Sequence, residues 1–212
     1  MSQLFSVHTV LFKAWGYEMS YLELAATLLN VWSVWLTARK KIQSWPVGIV
    51  AVILTGILFY QIQLYSDLVE QVYYLVTGFI GWVAWVKATQ SDAELPVGHN
   101  GATVNLLYLV GIGLGTSALG WFMAHITQYF PSLEPASLPY LDAFTTVMSF
   151  AAQLLMIRRR IESWYLWILV DVIGVTLYYY KGVVLIAIMY VIFLVLASGG
   201  LLNWLRSRRE AT

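Results

Sequence analysis

Seven apolar runs, each close to 20 residues long, dominate this chain and leave few folds open to it. A bilayer's hydrocarbon core is crossed by roughly 20 mostly apolar residues in a helix. The runs Met19–Ala38, Trp45–Leu64, Asp67–Val86, Thr103–Met123, Pro139–Ile157, Trp164–Lys181 and Val183–Trp204 all meet that length. The reading is an all-α membrane protein of seven transmembrane helices. Composition agrees: 60% of the residues are hydrophobic and 11% charged, against about half and a quarter in soluble domains. Lys87–Ala102 and His125–Leu138 are expected to be loops. Leu4–Trp15 mixes apolar and polar positions and reads as a short amphipathic helix in the interface.

Basic residues set the orientation. Arg39, Lys40, Lys41, Lys87, Arg158, Arg159, Arg160, Arg206, Arg208 and Arg209 fall on one side of a seven-span topology, with only Lys13 and Lys181 on the other. Cytoplasmic loops are enriched in Lys and Arg. The N-terminus is therefore expected outside and the C-terminus in the cytoplasm. A net charge of +1 argues against a nucleic-acid partner. The absence of Cys excludes thiol chemistry and disulfides.

The chain also matches itself at an offset of 119 residues. "ARKKIQSW" from Ala38 falls on "IRRRIESW" from Ile157, and Gly81 and Trp85 fall on Gly200 and Trp204. Ser20–Trp85 against Pro139–Trp204 gives 16 identities in 66 positions without a gap. The division that follows is an N-terminal segment 1–18, a first three-helix repeat 19–86, a linker helix 103–123, a second repeat 139–204 and a tail 205–212. Three helices reverse the chain across the membrane and the linker reverses it again. The two triplets then run parallel, a 3+1+3 order that suits a transporter with its substrate between the repeats.

Ionisable groups inside a span are expensive and serve as functional candidates. Asp171 lies seven residues past Trp164, about 10 Å along a helix, too deep for its side chain to reach the interface. Trp164, Trp167 and Asp171 share one face, with Tyr178 a heptad further on. Two indoles and a carboxylate suit a flat cationic heteroaromatic, through stacking, cation–π attraction and counter-charge. At the offset of 119, Trp167 meets Gly48 and Asp171 meets Val52, so the box exists in the second half alone. Gln71 and Tyr74 form a polar stripe with Gly78, and Tyr190 is the mate of Gln71. Ser149 and Gln153 follow Asp142 on their helix. Asp142 reads equally as a helix cap or a substrate contact. Its mate Glu23 reads as a cap, and Glu70 and Asp67 as solvated residues near the outer surface. Gly111 and Gly115 form a small-xxx-small pair for helix packing, at an oligomer interface among other options. No nucleotide-binding loop, triad or metal-ligand spacing is present, and no cofactor is expected. An enzyme would need a nucleophile or an acid–base pair, and the residues offer none.

Trp45-Pro-x-Gly48, "FYQIQLYSDLVEQVYY", "GWVAW", Asp142 and "RRRIESWYLWILVD", in that order and over nearly the whole chain, resemble the PnuC-type vitamin transporters. The resemblance implies a fold similar to the SWEET sugar transporters, a homotrimer, and a place in the bacterial inner membrane. It also implies facilitated diffusion, with uptake drawn on by a cytoplasmic vitamin kinase. The family's W-x-x-W-x-x-x-N motif falls on Trp164, Trp167 and Asp171, with Asp in place of Asn. Nicotinamide riboside is the family's default substrate. A carboxylate at that position suits the amino group and cation of thiamine, and both vitamins stay open. A vitamin sensor and a membrane enzyme are the readings from other classes.

Overall fold

In a computed structural model, residues 6–7, 9–14, 17–90, 96–130 and 137–210 are described. Seven long helices carry the fold: α1 (Tyr21–Ala38), α2 (Ser44–Gln61), α3 (Tyr65–Thr89), α4 (Ala102–Ala124), α6 (Pro139–Ile157), α7 (Glu162–Tyr180) and α8 (Val184–Glu210), with a one-turn α5 (Ile126–Tyr129) after α4. Four of them, α2, α4, α6 and α8, are long and apolar enough to cross a membrane. The other three carry Asn30 and Ser33, Glu70 and Gln71, and Asp171, polar groups that a lipid-facing helix would not hold.

Packing closes six helices into a ring. α1 packs on α2, α2 on α3, α3 on α6, α6 on α7, α7 on α8 and α8 back on α1. α4 stands outside this ring and packs on α6. That seam is close because it uses glycine: a Cβ at Gly120 would overlap the Tyr140 ring and one at Gly115 would press on Val147, whereas Gly111 and Gly113 face open space.

The offset of 119 recurs throughout the ring. Lys40 and Arg159 both have φ of 58°, and Gln63 and Gly182 have φ of 62° and 74°. Each residue ends a helix in the left-handed conformation and lets the next N–H turn back. Lys41 N donates to Leu36 O (3.0 Å) and Arg160 N to Leu155 O (2.9 Å); Leu64 N donates to Phe59 O (2.9 Å) and Val183 N to Tyr178 O (2.9 Å). These are four C-terminal caps of one kind, in two equivalent pairs. They set the tight α1–α2, α2–α3, α6–α7 and α7–α8 connections.

The tryptophans repeat as well. A Cβ at Gly81 would overlap the Trp45 ring, and one at Gly200 the Trp164 ring. Trp45 stands edge-on to Trp85 at 5.4 Å, and Trp164 edge-on to Trp204 at 5.5 Å. Trp85 and Trp204 meet at 6.1 Å and join the two halves. Trp85 Nε1 donates to Met156 O and Trp204 Nε1 to Thr37 O, both at 3.3 Å. The four indoles plug the ring at the end that bears the Arg39–Lys41 and Arg158–Arg160 turns, called here the basic end. On the second half alone, residues 96–101 strap the α6–α7 turn. Ile161 N donates to Gly98 O (2.9 Å), and Glu162 Oε1 accepts from Asn100 N (3.0 Å) and lies 3.1 Å from His99 Nδ1. Arg159 Nε donates to Pro96 O there (3.1 Å), and burial, then the charge of Arg160, lowers the Arg159 pKa.

Three expectations are corrected. Within Leu4–Trp15, the described residues hold a strand and not an amphipathic helix: β1 (Val10–Ala14) pairs antiparallel with β2 (Tyr17–Ser20). Val10 is β-branched and Phe12 aromatic, types that favour strands, and the Lys13–Glu18 pair couples the strands across the register. The hairpin is tied to α1 by Tyr17, whose hydroxyl donates to Glu23, while Ser20 caps the helix by accepting from Glu23 N (3.1 Å). The tail after residue 204 is the end of α8 as far as Glu210, and the loop after α4 contains α5.

Candidate functional site

The ring encloses a cavity of about 460 Å³ lined by all six of its helices and not by α4. Lining residues come in equivalent pairs, among them Asn30 with Ser149, Trp45 with Trp164, Gln71 with Tyr190 and Tyr74 with Phe193. A pair related by the repeat faces the same central space from opposite sides, as a ring of two like halves requires.

The second half supplies the ionisable wall. Trp164, Trp167 and Asp171 line the cavity from one stripe of α7. Asp171 is 5% exposed, and among the described residues no hydrogen bond or ion pair to its carboxylate is found. An ionised group in such a place is strongly unfavourable unless something meets it. Trp167 packs partly against the basic-end core and leaves the rest of its ring to the cavity. Trp164 is buried in that core. Tyr190 is seated over Gly174, where a Cβ would overlap its ring. Only a glycine on α7 lets this tyrosine come in beside Asp171.

The first half faces this wall with Asn30, Ser33, Thr55, Glu70, Gln71 and Tyr74. Asn30 Nδ2 donates to Ala26 O (3.1 Å) and Thr55 Oγ1 (3.3 Å), which uses its amide donor within the first half. The arrangement offers aromatic faces, one unpaired carboxylate and amide groups in a space closed to bulk water at the basic end. It suits a flat cation with polar substituents and contains no nucleophile–base pair. Among the described residues no group of three or more His, Asp or Glu could hold a metal.

Seven of the nine residues singled out from the sequence meet here: Gln71, Tyr74, Ser149, Trp164, Trp167, Asp171 and Tyr190. Tyr178 and Asp142 do not line the cavity. Tyr178 is drawn aside by stacking on Tyr190 at 5.5 Å, with Lys181 6.0 Å from its ring. Asp142 sits in the first turn of α6, where the helix dipole favours a carboxylate, but the N-cap is Leu138 and no side chain caps the helix. Glu70 corrects the reading in the other direction. It lines the cavity and accepts from Thr146 Oγ1 at 2.7 Å. Sequence reasoning missed Asn30, Ser33 and Thr55. Asn30 carried a signal, as the repeat mate of Ser149.

Comparison with known proteins agrees with this architecture. The nicotinamide mononucleotide transporter family matches residues 20–206. The nicotinamide riboside transporter PnuC of Escherichia coli is 32% identical, over 97% of this chain and 95% of its own length. The riboflavin/roseoflavin transporter RibM of Streptomyces davaonensis is 27% identical, over 89% of this chain and 87% of its own. A solved crystal structure of the vitamin B3 transporter PnuC superposes with a TM-score of 0.71 at 25% identity, covering 91% of this chain and 83% of that one. With four apolar helices of spanning length and a family match over nearly its whole extent, this multi-pass membrane protein belongs to the PnuC-type nicotinamide mononucleotide transporter family.

Proposed function

We propose that the chain carries a cationic heteroaromatic vitamin across the bacterial inner membrane by facilitated diffusion, with nicotinamide riboside as the default substrate. The observation that carries this reading is Asp171: a buried carboxylate without a basic partner, on one face with Trp167, at the wall of a central cavity. Relatives named as nicotinamide riboside transporters support the substrate. No ATP-binding motif is present, so net uptake follows from consumption of the vitamin inside, by a cytoplasmic kinase. All seven long helices span the membrane in this reading, in a SWEET-like 3+1+3 order with the N-terminus outside and the basic end in the cytoplasm. Three copies form the transporter, and α4, open at Gly111 and at Gly113, is available to a neighbour.

Thiamine is the second reading. Asp171 stands where the resemblance places Asn; a carboxylate offsets the charge of a thiazolium, as a neutral amide cannot, and offers two acceptor oxygens to an aminopyrimidine. Riboflavin, the substrate in the name of one relative, brings no positive charge to Asp171. Titration calorimetry of the detergent-purified protein with nicotinamide riboside and thiamine, alongside Asp171→Asn, separates the two. Preference for thiamine that Asp171→Asn removes selects thiamine; preference for nicotinamide riboside in both forms keeps the default. Binding without flux in proteoliposomes would make the protein a sensor instead.

A further inference from the structure

The basic-end floor of the cavity holds three donors that nothing among the described residues accepts from. They are Trp45 Nε1, Trp164 Nε1 and Ser44 Oγ, on residues 7%, 1% and 2% exposed that all line the cavity. The groups around them are satisfied. Trp85 and Trp204, in contact with these indoles, donate to backbone carbonyls of the opposite half. Ser163, the mate of Ser44, donates to Arg160 O at 2.7 Å. Ser33 donates to Ser44 O at 3.0 Å, so the Ser44 carbonyl is used while its hydroxyl is not.

A buried donor without an acceptor costs about 1–3 kcal/mol. Three such donors on cavity-lining residues, two of them indoles related by the repeat, mark this end of the cavity as a place for an incoming acceptor oxygen. Depth gives the patch its partner. Trp164 and Asp171 lie seven residues apart on α7, about 10 Å along the axis. That is the span of a small heteroaromatic ring together with a hydroxyl-bearing arm.

We propose that Ser44 and Trp45, with Trp164, form an inner subsite that binds the hydroxyl arm of the substrate while its charged ring lies toward Asp171. The subsite rests on the functional reading above and deepens it. The alcohol oxygen accepts from the indole N–H groups, and the Ser44 hydroxyl rotates to complete the set. Nicotinamide riboside, thiamine and riboflavin all end in a primary alcohol. The floor therefore recognises what such substrates share, and the Asp171 wall reads where they differ. The alcohol then faces the basic end.

The test is calorimetry on the full-length wild type, Ser44→Ala and Trp45→Phe, with nicotinamide riboside and thiamine and with the analogue of each that lacks the primary hydroxyl. The wild type is expected to prefer the hydroxylated member of the pair it binds. Each substitution should weaken that member about three- to tenfold, the worth of one hydrogen bond, and leave the deoxy analogue unchanged. Ser44→Ala deletes one oxygen and keeps the test valid if Trp45→Phe does not fold. A hydroxyl preference that survives in Ser44→Ala and in every variant that folds, or an equal loss for both members of the pair, overturns the subsite alone. A wild type that binds none of the four probes overturns the functional reading and the subsite with it.

Discussion

The two halves of the ring share a frame and differ in what they show to its centre. In the first, α2 turns Gly48 and Val52 toward the cavity; in the second, α7 turns Trp167 and Asp171 there from the same positions. Residues that build the frame are the same in both: Trp45 and Trp164 against Gly81 and Gly200, and Trp85 and Trp204 across the junction. The seams differ too. Both keep one equivalent bond, Trp85 to Met156 O and Trp204 to Thr37 O; beside it, Tyr73 donates to Phe150 O (2.9 Å) and Thr146 to Glu70 between α3 and α6, and Asn203 donates to Ala38 O (2.8 Å) between α1 and α8. Sameness marks what holds the fold, and difference marks what meets a solute.

That division can be attacked directly. Asp171→Val copies the first half onto the second. It should weaken binding of a cationic vitamin at least about thirtyfold, since losing one partner of a buried charge pair costs about 2–5 kcal/mol. The same substitution should leave the midpoint of thermal unfolding unchanged or raise it, because it removes a buried charge with no partner in the protein. Retained affinity in calorimetry would sink the division. Trp167→Ala should abolish measurable uptake into proteoliposomes while the protein still inserts, and its affinity should fall about ten- to a hundredfold, for a stacking surface worth about 1–3 kcal/mol per ring. Frame positions should behave alike: Gly81→Ala and Gly200→Ala each push a methyl into an equivalent indole and should each cost about 1–3 kcal/mol of stability. A loss confined to one of them would mean that the halves do not carry equal loads. The smallest effect belongs to the α2 cap. Gln63 takes a left-handed φ where its mate is Gly182, so Gln63→Gly should stabilise by about 1 kcal/mol, read as a small rise in thermal midpoint. An unchanged midpoint would show that the Gln63 side chain repays its strain through contacts of its own.

Much of this was legible in the sequence because membrane helices advertise their length. Runs near 20 residues placed the ends of the seven long helices within three residues, save the end of α8, and the register of 119 matched Gly81 with Gly200 and Trp85 with Trp204. What stayed hidden depends on direction around a helix axis, or on pairing between distant segments. Glu70 neighbours Gln71, and both reach a cavity broad enough to admit adjacent positions of α3; from periodicity alone only one would face it. Tyr178 continues the stripe of Trp164 and Asp171, but stacking on Tyr190 turns its ring away from the cavity. The hairpin at Val10–Ser20 is too short for its alternation to outweigh an amphipathic reading, and its strand character comes from pairing.

α4 lies outside the ring, and the only chain joining the two triplets runs through it. Among the described residues no backbone crosses the interior, and each triplet is continuous in itself. Two separate polypeptides, one ending between α4 and α6 and one beginning before Pro139, would still hold every wall of the cavity and both seams. The covalent link fixes which half carries Asp171 and which does not, and so holds two unlike walls at one to one around a single cavity.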